Sequence, residues 1–312
     1  MTSPLLQAAS AAAGAQQYPA GALYLVATPI GNLADITLRA LHLLAIADAV
    51  ACEDTRNSGH LLRHYGIEGK PLVAVHEHNE AQATPQVLQR LARGERVAYV
   101  SDAGTPAVSD PGARLVAAAA QAGHRVVPLP GASSVVAALS AAGDAQAQGF
   151  RFAGFLPAKG AARQQAIEAL AGETASVVLF EAPHRIAGLL AALAAAVPGR
   201  QLTICRELTK QFETVHTLAA EQAPPWLAAD ANRERGEFVL VLHAPAAAES
   251  AGADELSAAD QRLLQLLLEA LPLKQAVALA ARIGGAPRNR LYDTALALRG
   301  PAPTEDEAGE PG

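Results

Sequence analysis

The segment richest in chemistry is SDAGTPAVSDPG, residues 101–112. Gly104 lets the backbone approach a ligand closely, while Pro106, Pro111 and Gly112 stiffen the rest. Ordering such a loop costs conformational entropy, which favours a gripping role over an ordinary connection. PGASS, residues 130–134, is a second turn of this kind; Ser133 and Ser134 either cap the next helix or face a ligand. TPIGNLADIT, residues 28–37, is a third glycine-containing strand end. It departs from G-x-G-x-x-G, so a nicotinamide site is not supported. EDTR at 53–56 and EAPHR at 181–185 each set a carboxylate beside a guanidinium, as a salt-bridged turn or as part of a site. HEHNE, residues 76–80, offers two histidines, but no spaced Cys/His set accompanies them. A polar loop is the reading there, and no metal is expected. Neither G-x-S-x-G nor G-x-x-x-x-G-K-[ST] occurs.

These loops need strands and helices to aim them. Five short apolar runs, LYLVAT, AVAC, LVAV, VAYVS and RVVPLP, are each followed by a small-residue loop and an amphipathic stretch. Strands that are apolar on both faces predict a parallel sheet covered by helices on both sides. Ligands of such sheets sit beyond the carboxyl ends of the strands, where the glycine, proline, serine and aspartate cluster here. A second block carries strand-like FAGFLP, SVVLFEAP, LTICREL and GEFVLVLHA, with helices near 161–171 and 184–197, and reads as a mixed sheet. The fold class is therefore α/β with two α/β domains, over 22–145 and 146–244. Residues 1–21 read as a disordered leader and 245–255 as a linker. Residues 256–300 read as a small C-terminal domain of three helices broken by Pro272 and Gly284–Gly285, and 301–312 as an acidic tail.

Composition bounds the partners. The 312 residues are 51% hydrophobic and 17% charged, a globular balance with a net charge of −6. Only four of 24 basic residues are lysine, so arginine, the better fork for phosphate, dominates. Residues 261–300 carry six basic and two acidic side chains, a local basic patch on an acidic chain. Cys52 and Cys205 lie in apolar runs and read as buried thiols. The N-terminus has no charge before Asp35, which does not fit a signal peptide. The run IAGLLAALAAAVPG is too short to cross a membrane. A cytoplasmic protein with no membrane partner is expected.

The ordered set LYLVATPIGNLADITLRAL, EDTR, VSDAGTPAVSDPG, PLPGASS, FAGFLP, LFEAPHR, RELTKQFET, GEFVLV and NRLYDTAL resembles the tetrapyrrole-methylase-like superfamily of S-adenosylmethionine enzymes. Within it, the set is similar to the branch that methylates a cytidine 2′-hydroxyl of 16S ribosomal RNA in the small subunit. The match spans residues 23–300. The resemblance implies a class III methyltransferase fold, S-adenosyl-L-methionine as cofactor between the two α/β domains, 16S rRNA as partner, and a homodimer. The superfamily's G-G-D-P loop falls on Ala103, Gly104, Thr105 and Pro106, and its next apolar contact on Val108. Its later small polar pair falls on Ser133 and Ser134, and its early P-G element on Ile30 and Gly31. Two departures stand out: Thr105 where those enzymes carry aspartate, and Glu181 where they carry a methionine at the cofactor.

A carboxylate beside a methyl donor suits deprotonation of a hydroxyl. Glu181 is accordingly the expected base, with Lys159 as an electrostatic helper. Arg56 and Arg185 are expected to hold phosphates or to order neighbouring carboxylates. Arg288 and Arg290 on the C-terminal helices are expected to hold RNA. A tetrapyrrole C-methyltransferase and a non-catalytic RNA-binding module are the competing readings. The first leaves the basic helices without a purpose, and the second leaves the shaped strand-end loops without one.

Overall fold

The computed structural model describes residues 3–245, 256, 258–284 and 286–299. Residues 3–21, expected as a disordered leader, instead begin with helix α1 (Pro4–Ala13). Leu6, Ala9 and Ala13, spaced three and four apart, are buried on one face of α1. That face packs on α2, so an uncharged Ala-rich stretch becomes part of the core.

The chain then alternates strand and helix: β1 (Ala22–Val26), α2 (Leu38–Ile46), β2 (Ala49–Cys52), α3 (Thr55–His64), β3 (Leu72–Ala74), α4 (Glu80–Ala92), β4 (Val97–Val100), α5 (Ala113–Gln121) and β5 (Arg125–Leu129). All five strands run parallel in the order β3-β2-β4-β1-β5, as their unbroken apolar runs foretold. The pleat sends alternate residues to opposite faces. Tyr24, Val50, Cys52 and Ala98 meet the helices α1 to α3, while Leu23, Ala51, Val97 and Tyr99 meet α4 and α5.

Helix α6 (Ser134–Ala142) leaves this sheet and covers a second one. That sheet is built from β6 (Phe150–Phe155), β7 (Ser176–Glu181), β8 (Gln201–Arg206), β9 (Thr214–Ala219) and β10 (Phe238–Leu242), in the order β6-β7-β10-β8-β9. It is mixed, as expected: β6 and β7 are parallel and the remaining pairs antiparallel. Val135, Ala138 and Ala142 of α6 bury one face with Val178, Cys205 and Val241. Helices α7 (Gly160–Ala171), α8 (Ile186–Ala196) and α9 (Ala223–Ala228) cover the other, where Leu179, Ile204 and Leu240 meet Leu189 and Leu193. Because α6 belongs by sequence to the first block and by packing to the second sheet, both sheets form one compact unit, Met1–Ala246.

The second unit, Ala247–Gly312, contains α10 (Ala258–Ala270), α11 (Leu273–Gly284) and α12 (Arg288–Arg299), the three expected helices. Leu264, Val277, Ala280, Leu291 and Ala295 form its core. The expected linker beyond Pro245 and the acidic tail lie outside the described residues.

Candidate active site

Three loops at the carboxyl ends of the parallel strands are stitched together. The Thr28 N–H, just past β1, donates to the Gly104 carbonyl at 2.9 Å, and the Gly104 N–H returns a bond to Thr28 at 3.0 Å. Gly104 adopts φ +78°, and a Cβ there would stand 3.3 Å from Ile30 Cγ2. Thr105 donates its hydroxyl to the Ala132 carbonyl at 3.0 Å, tying in the loop after β5. These loops face the second sheet across a cavity of about 400 Å³.

Ile30, Ala103, Gly104, Thr105 and Val108 line that cavity, and so do Ser133 and Ser134. Ser133 is the N-cap residue of α6, yet its side chain makes no capping bond, so capping does not account for it. Gly31 is not in the lining. It is exposed and backs onto Lys210, whose Cγ would lie 2.5 Å from a Cβ at that position.

From the second sheet come further walls, of which the sequence singled out only Glu181. Phe155, Phe180, Leu208 and Phe238 supply apolar surface, and Glu181 and Glu237 supply carboxylates. Asp110 reaches the cavity from the loop after β4. The lining thus carries three carboxylates, and among the described residues it carries no lysine, arginine or histidine. Such a cavity favours a positively charged ligand with an apolar body.

Glu181 ends β7 with its side chain fully buried. Its Oε1 lies 2.9 Å from Arg185 Nε and accepts the Ala182 N–H at 3.0 Å, while Oε2 lies 3.4 Å from Arg163 Nη1. Both oxygens are therefore engaged. Arg185 also donates to the Leu156 carbonyl at 2.7 Å, so of its two expected tasks it performs the ordering of a carboxylate. Lys159 is exposed at the N-cap of α7 and does not line the cavity. Arg56 is exposed too, pairing with Asp54 at 2.8 Å and holding that carboxyl down at about 2. The rings of His76 and His78 stand edge to face at 6.2 Å, in the turn before α4.

The loop that carries Asp110 is strained and firmly held. Ala107 and Ser109 adopt φ 63° and 66°, a region unfavourable for residues with a Cβ. Buried Glu80 anchors the loop's far end: its Oε1 accepts the N–H groups of Gly112, Arg114 and Leu115 at 3.1, 2.9 and 3.0 Å. Tyr99 donates its hydroxyl to the Pro111 carbonyl at 2.6 Å. Burial, followed by the nearby Glu53 and Asp102 carboxylates, pushes the Asp110 carboxyl up to about 6, against an opposing hydrogen bond from Ser101. The burial that raises Glu53 is reinforced by Asp102.

In the separate helical unit, Arg288 is exposed and Arg290 half-buried. Arg288 shares an open groove with Lys274, Asn289 and Tyr292.

Comparison with known proteins agrees with this geometry. The profile of the Tetrapyrrole (Corrin/Porphyrin) Methylases matches residues 22–224, and that of the RsmI C-terminal HTH domain matches 254–299. The ribosomal RNA small subunit methyltransferase I of Pseudomonas aeruginosa is 48% identical over 90% of this chain and 99% of its own. That of Escherichia coli O157:H7 is 45% identical over 90% of this chain and 96% of its own. Among solved structures, uroporphyrin-III-C-methyltransferase from Thermus thermophilus aligns at TM-score 0.51 and 26% identity, over 72% of this chain and 94% of that one. The tetrapyrrole enzymes are thus neighbours in fold at much greater distance. With close relatives aligned over nearly their full length, this chain belongs to the ribosomal RNA small subunit methyltransferase I family.

Proposed function

We propose that this protein is an S-adenosyl-L-methionine-dependent methyltransferase that methylates the 2′-oxygen of a cytidine in 16S ribosomal RNA. The observation that carries the reading is the cavity, placed at the carboxyl ends of the parallel strands in a chain of this family and lined by three carboxylates and, among the described residues, no basic side chain. Its volume of about 400 Å³ falls in the range of small-molecule sites. The residues present fit the cofactor. Ile30, Val108 and Phe180 offer apolar surface for an adenosyl group, and Gly104 keeps the wall open. Glu181 and Glu237 add negative charge that complements a sulfonium and an ammonium group.

When bound, the cofactor supplies an electrophilic methyl group. The chain's own residues do the rest. The stitched loops fix one reactant, and a fixed approach of the ribose oxygen converts an encounter into an oriented step. The triad Arg163–Glu181–Arg185 stiffens the wall facing those loops. A tetrapyrrole substrate is less well supported, since it rests on the more distant structural neighbours.

Substrate capture falls to the helical unit in this reading. Lys274 and Arg288 offer cations to phosphates, and Tyr292 offers a ring face to a base. Arg290 adds a further cation on the same helix. A homodimer in the cytoplasm completes the proposal. Phe150, Phe155, Phe212 and Val215, on or beside the edge strands β6 and β9, remain exposed and give apolar surface for a second copy. Among the described residues no helix is long and apolar enough to cross a membrane.

The test offers methyl-labelled cofactor with small subunits, naked 16S rRNA and uroporphyrinogen III in parallel. Label should enter the RNA of at least one ribosomal sample and not the tetrapyrrole. Label in the tetrapyrrole alone would overturn the proposal.

A further inference from the structure

We propose that Asp110, carried on the clamped loop between β4 and α5, is the group that accepts the ribose 2′-hydroxyl proton during methyl transfer. This rests on the function proposed above and assigns the proton to one named atom group. As the O2′–carbon bond forms, the O–H electron pair stays on oxygen and the proton passes to an Asp110 carboxylate oxygen. The carbon–sulfur bond breaks with its electrons left on sulfur, so a cationic sulfonium becomes a neutral thioether. Charge and atoms balance with no further reactant.

Three observations single out Asp110. First, of the three cavity carboxylates, Glu181 has both oxygens committed to Arg163, Arg185 and the Ala182 amide. Glu237 is 80% exposed and pairs with Lys210 at 2.8 Å. Neither is free to take a proton in a dry site; Asp110 is bound to no cation among the described residues. Second, its position is enforced. A loop holding two side-chain-bearing residues at positive φ persists only when its surroundings over-determine it, and here Glu80 and Tyr99 do so. Strained backbone just before one carboxylate and clamped backbone just after it is the pattern of a preorganised acceptor. Third, the groups that face it are arranged to favour proton uptake. Glu53 from the end of β2 and Asp102 from the loop after β4 both oppose its ionisation, as does burial, while Ser101 favours it. Glu181 and Glu237 face it from the second sheet, the former neutralised by its arginines. A carboxylate poised near neutral pH is a stronger base than an ordinary aspartate and is still ionised above pH 7.

The experiment pairs Asp110→Asn with Asp110→Glu in the full chain. Single-turnover methyl transfer to the RNA substrate is measured from pH 5 to pH 9, with calorimetric titration of S-adenosylmethionine into each protein. A carbon-13 carboxyl titration of wild-type protein without RNA gives a readout independent of turnover. We expect Asp110→Asn to lower the single-turnover rate at least about 100-fold. Its cofactor affinity should stay within about threefold of wild type, and the acidic limb of the rate profile should vanish. Asp110→Glu should recover part of the rate with a limb restored, and the wild-type carboxyl should titrate near pH 6. Rates in Asp110→Asn within threefold of wild type would overturn the assignment, as would a carboxyl titrating near pH 4. A rate loss matched by lost cofactor affinity would also overturn it, making Asp110 a cofactor ligand. Wild-type protein that methylates no RNA would instead defeat the functional reading itself, so the two failures are distinguishable.

Discussion

Replacing Glu80 with glutamine should loosen the loop that carries the site, and the structure sets the size of the effect. Glu80 Oε1 accepts three backbone N–H bonds, from Gly112, Arg114 and Leu115, at the start of α5. Bonds to a charged acceptor contribute about 1.5–3 kcal/mol and neutral ones about 0.5–1.5, so each loses about 1 kcal/mol when the charge is removed. Three bonds to one oxygen are not fully additive, but the carboxylate also meets the positive end of α5, worth about 0.3–1 kcal/mol more. Glu80→Gln should therefore cost about 2–4 kcal/mol. For a unit of this size that is a fall in Tm of roughly 4–16 °C, at about 2–4 °C per kcal/mol. Glu80→Ala, which leaves three donors without a partner, should cost more, about 4–5 kcal/mol. Scanning calorimetry gives the stability, and hydrogen exchange at the amides of residues 112–115 localises it. A Tm within 1 °C of wild type together with unchanged exchange at those amides would refute the clamp.

Four further outcomes follow from the same geometry. Gly104→Val should abolish S-adenosylmethionine binding in calorimetry while the protein stays folded, because φ +78° disfavours a β-branched residue and its Cβ would press on Ile30. Glu181→Gln should weaken cofactor binding more than the rate at saturating cofactor, since two guanidiniums beside the cavity wall would lose their neutralising carboxylate; the reverse split would return the base role to Glu181. Asp110 is held above its unfolded value of 3.8, so the fold loses stability as pH rises through about 6. A two-unit shift is at most about 3 kcal/mol, and partial exposure lowers this to about 1–2. Urea denaturation should thus find Asp110→Asn more stable than wild type at pH 8 but not at pH 4. Replacing Arg288 and Arg290 with alanine should flatten the salt dependence of RNA filter binding by up to about 1.4 on single strands, at about 0.7 per phosphate contact; an unchanged slope would place the RNA grip elsewhere.

The first sheet was legible in the sequence because its strands are buried on both faces and read as unbroken apolar runs. Strand β9 was not: it lies at an edge of the second sheet, and Val215, His216 and Thr217 in succession are exposed, so no apolar alternation marks it. Helix α1 was hidden for a different reason, since alanines without charges resemble a leader until Leu6 and Ala9 find α2 to pack on. At the site, glycine, proline and serine marked the three loops of the first sheet. Phe155, Phe180, Leu208 and Glu237 lie in segments that carry the family resemblance, but nothing local marks them as site residues, and they become neighbours only when the two sheets face each other. Asp110 and Asp102 lay within the loop that drew attention first, but Glu53, the largest charge acting on Asp110, comes beside it only when folding gathers the strand ends. Lys159 and Arg56 had suitable chemistry at suitable strand ends, and solvent took them.

The central claim, methyl transfer to the 2′-oxygen of a cytidine, is tested most directly by mapping the label. A 2′-O-methyl group removes the nucleophile that alkali uses to cleave RNA, so a methylated residue survives in an alkali-stable dinucleotide. Small-subunit RNA treated with the protein and labelled cofactor should yield one such dinucleotide, with the label on its cytidine ribose. Label released with ordinary mononucleotides would put the methyl on a base and contradict the account.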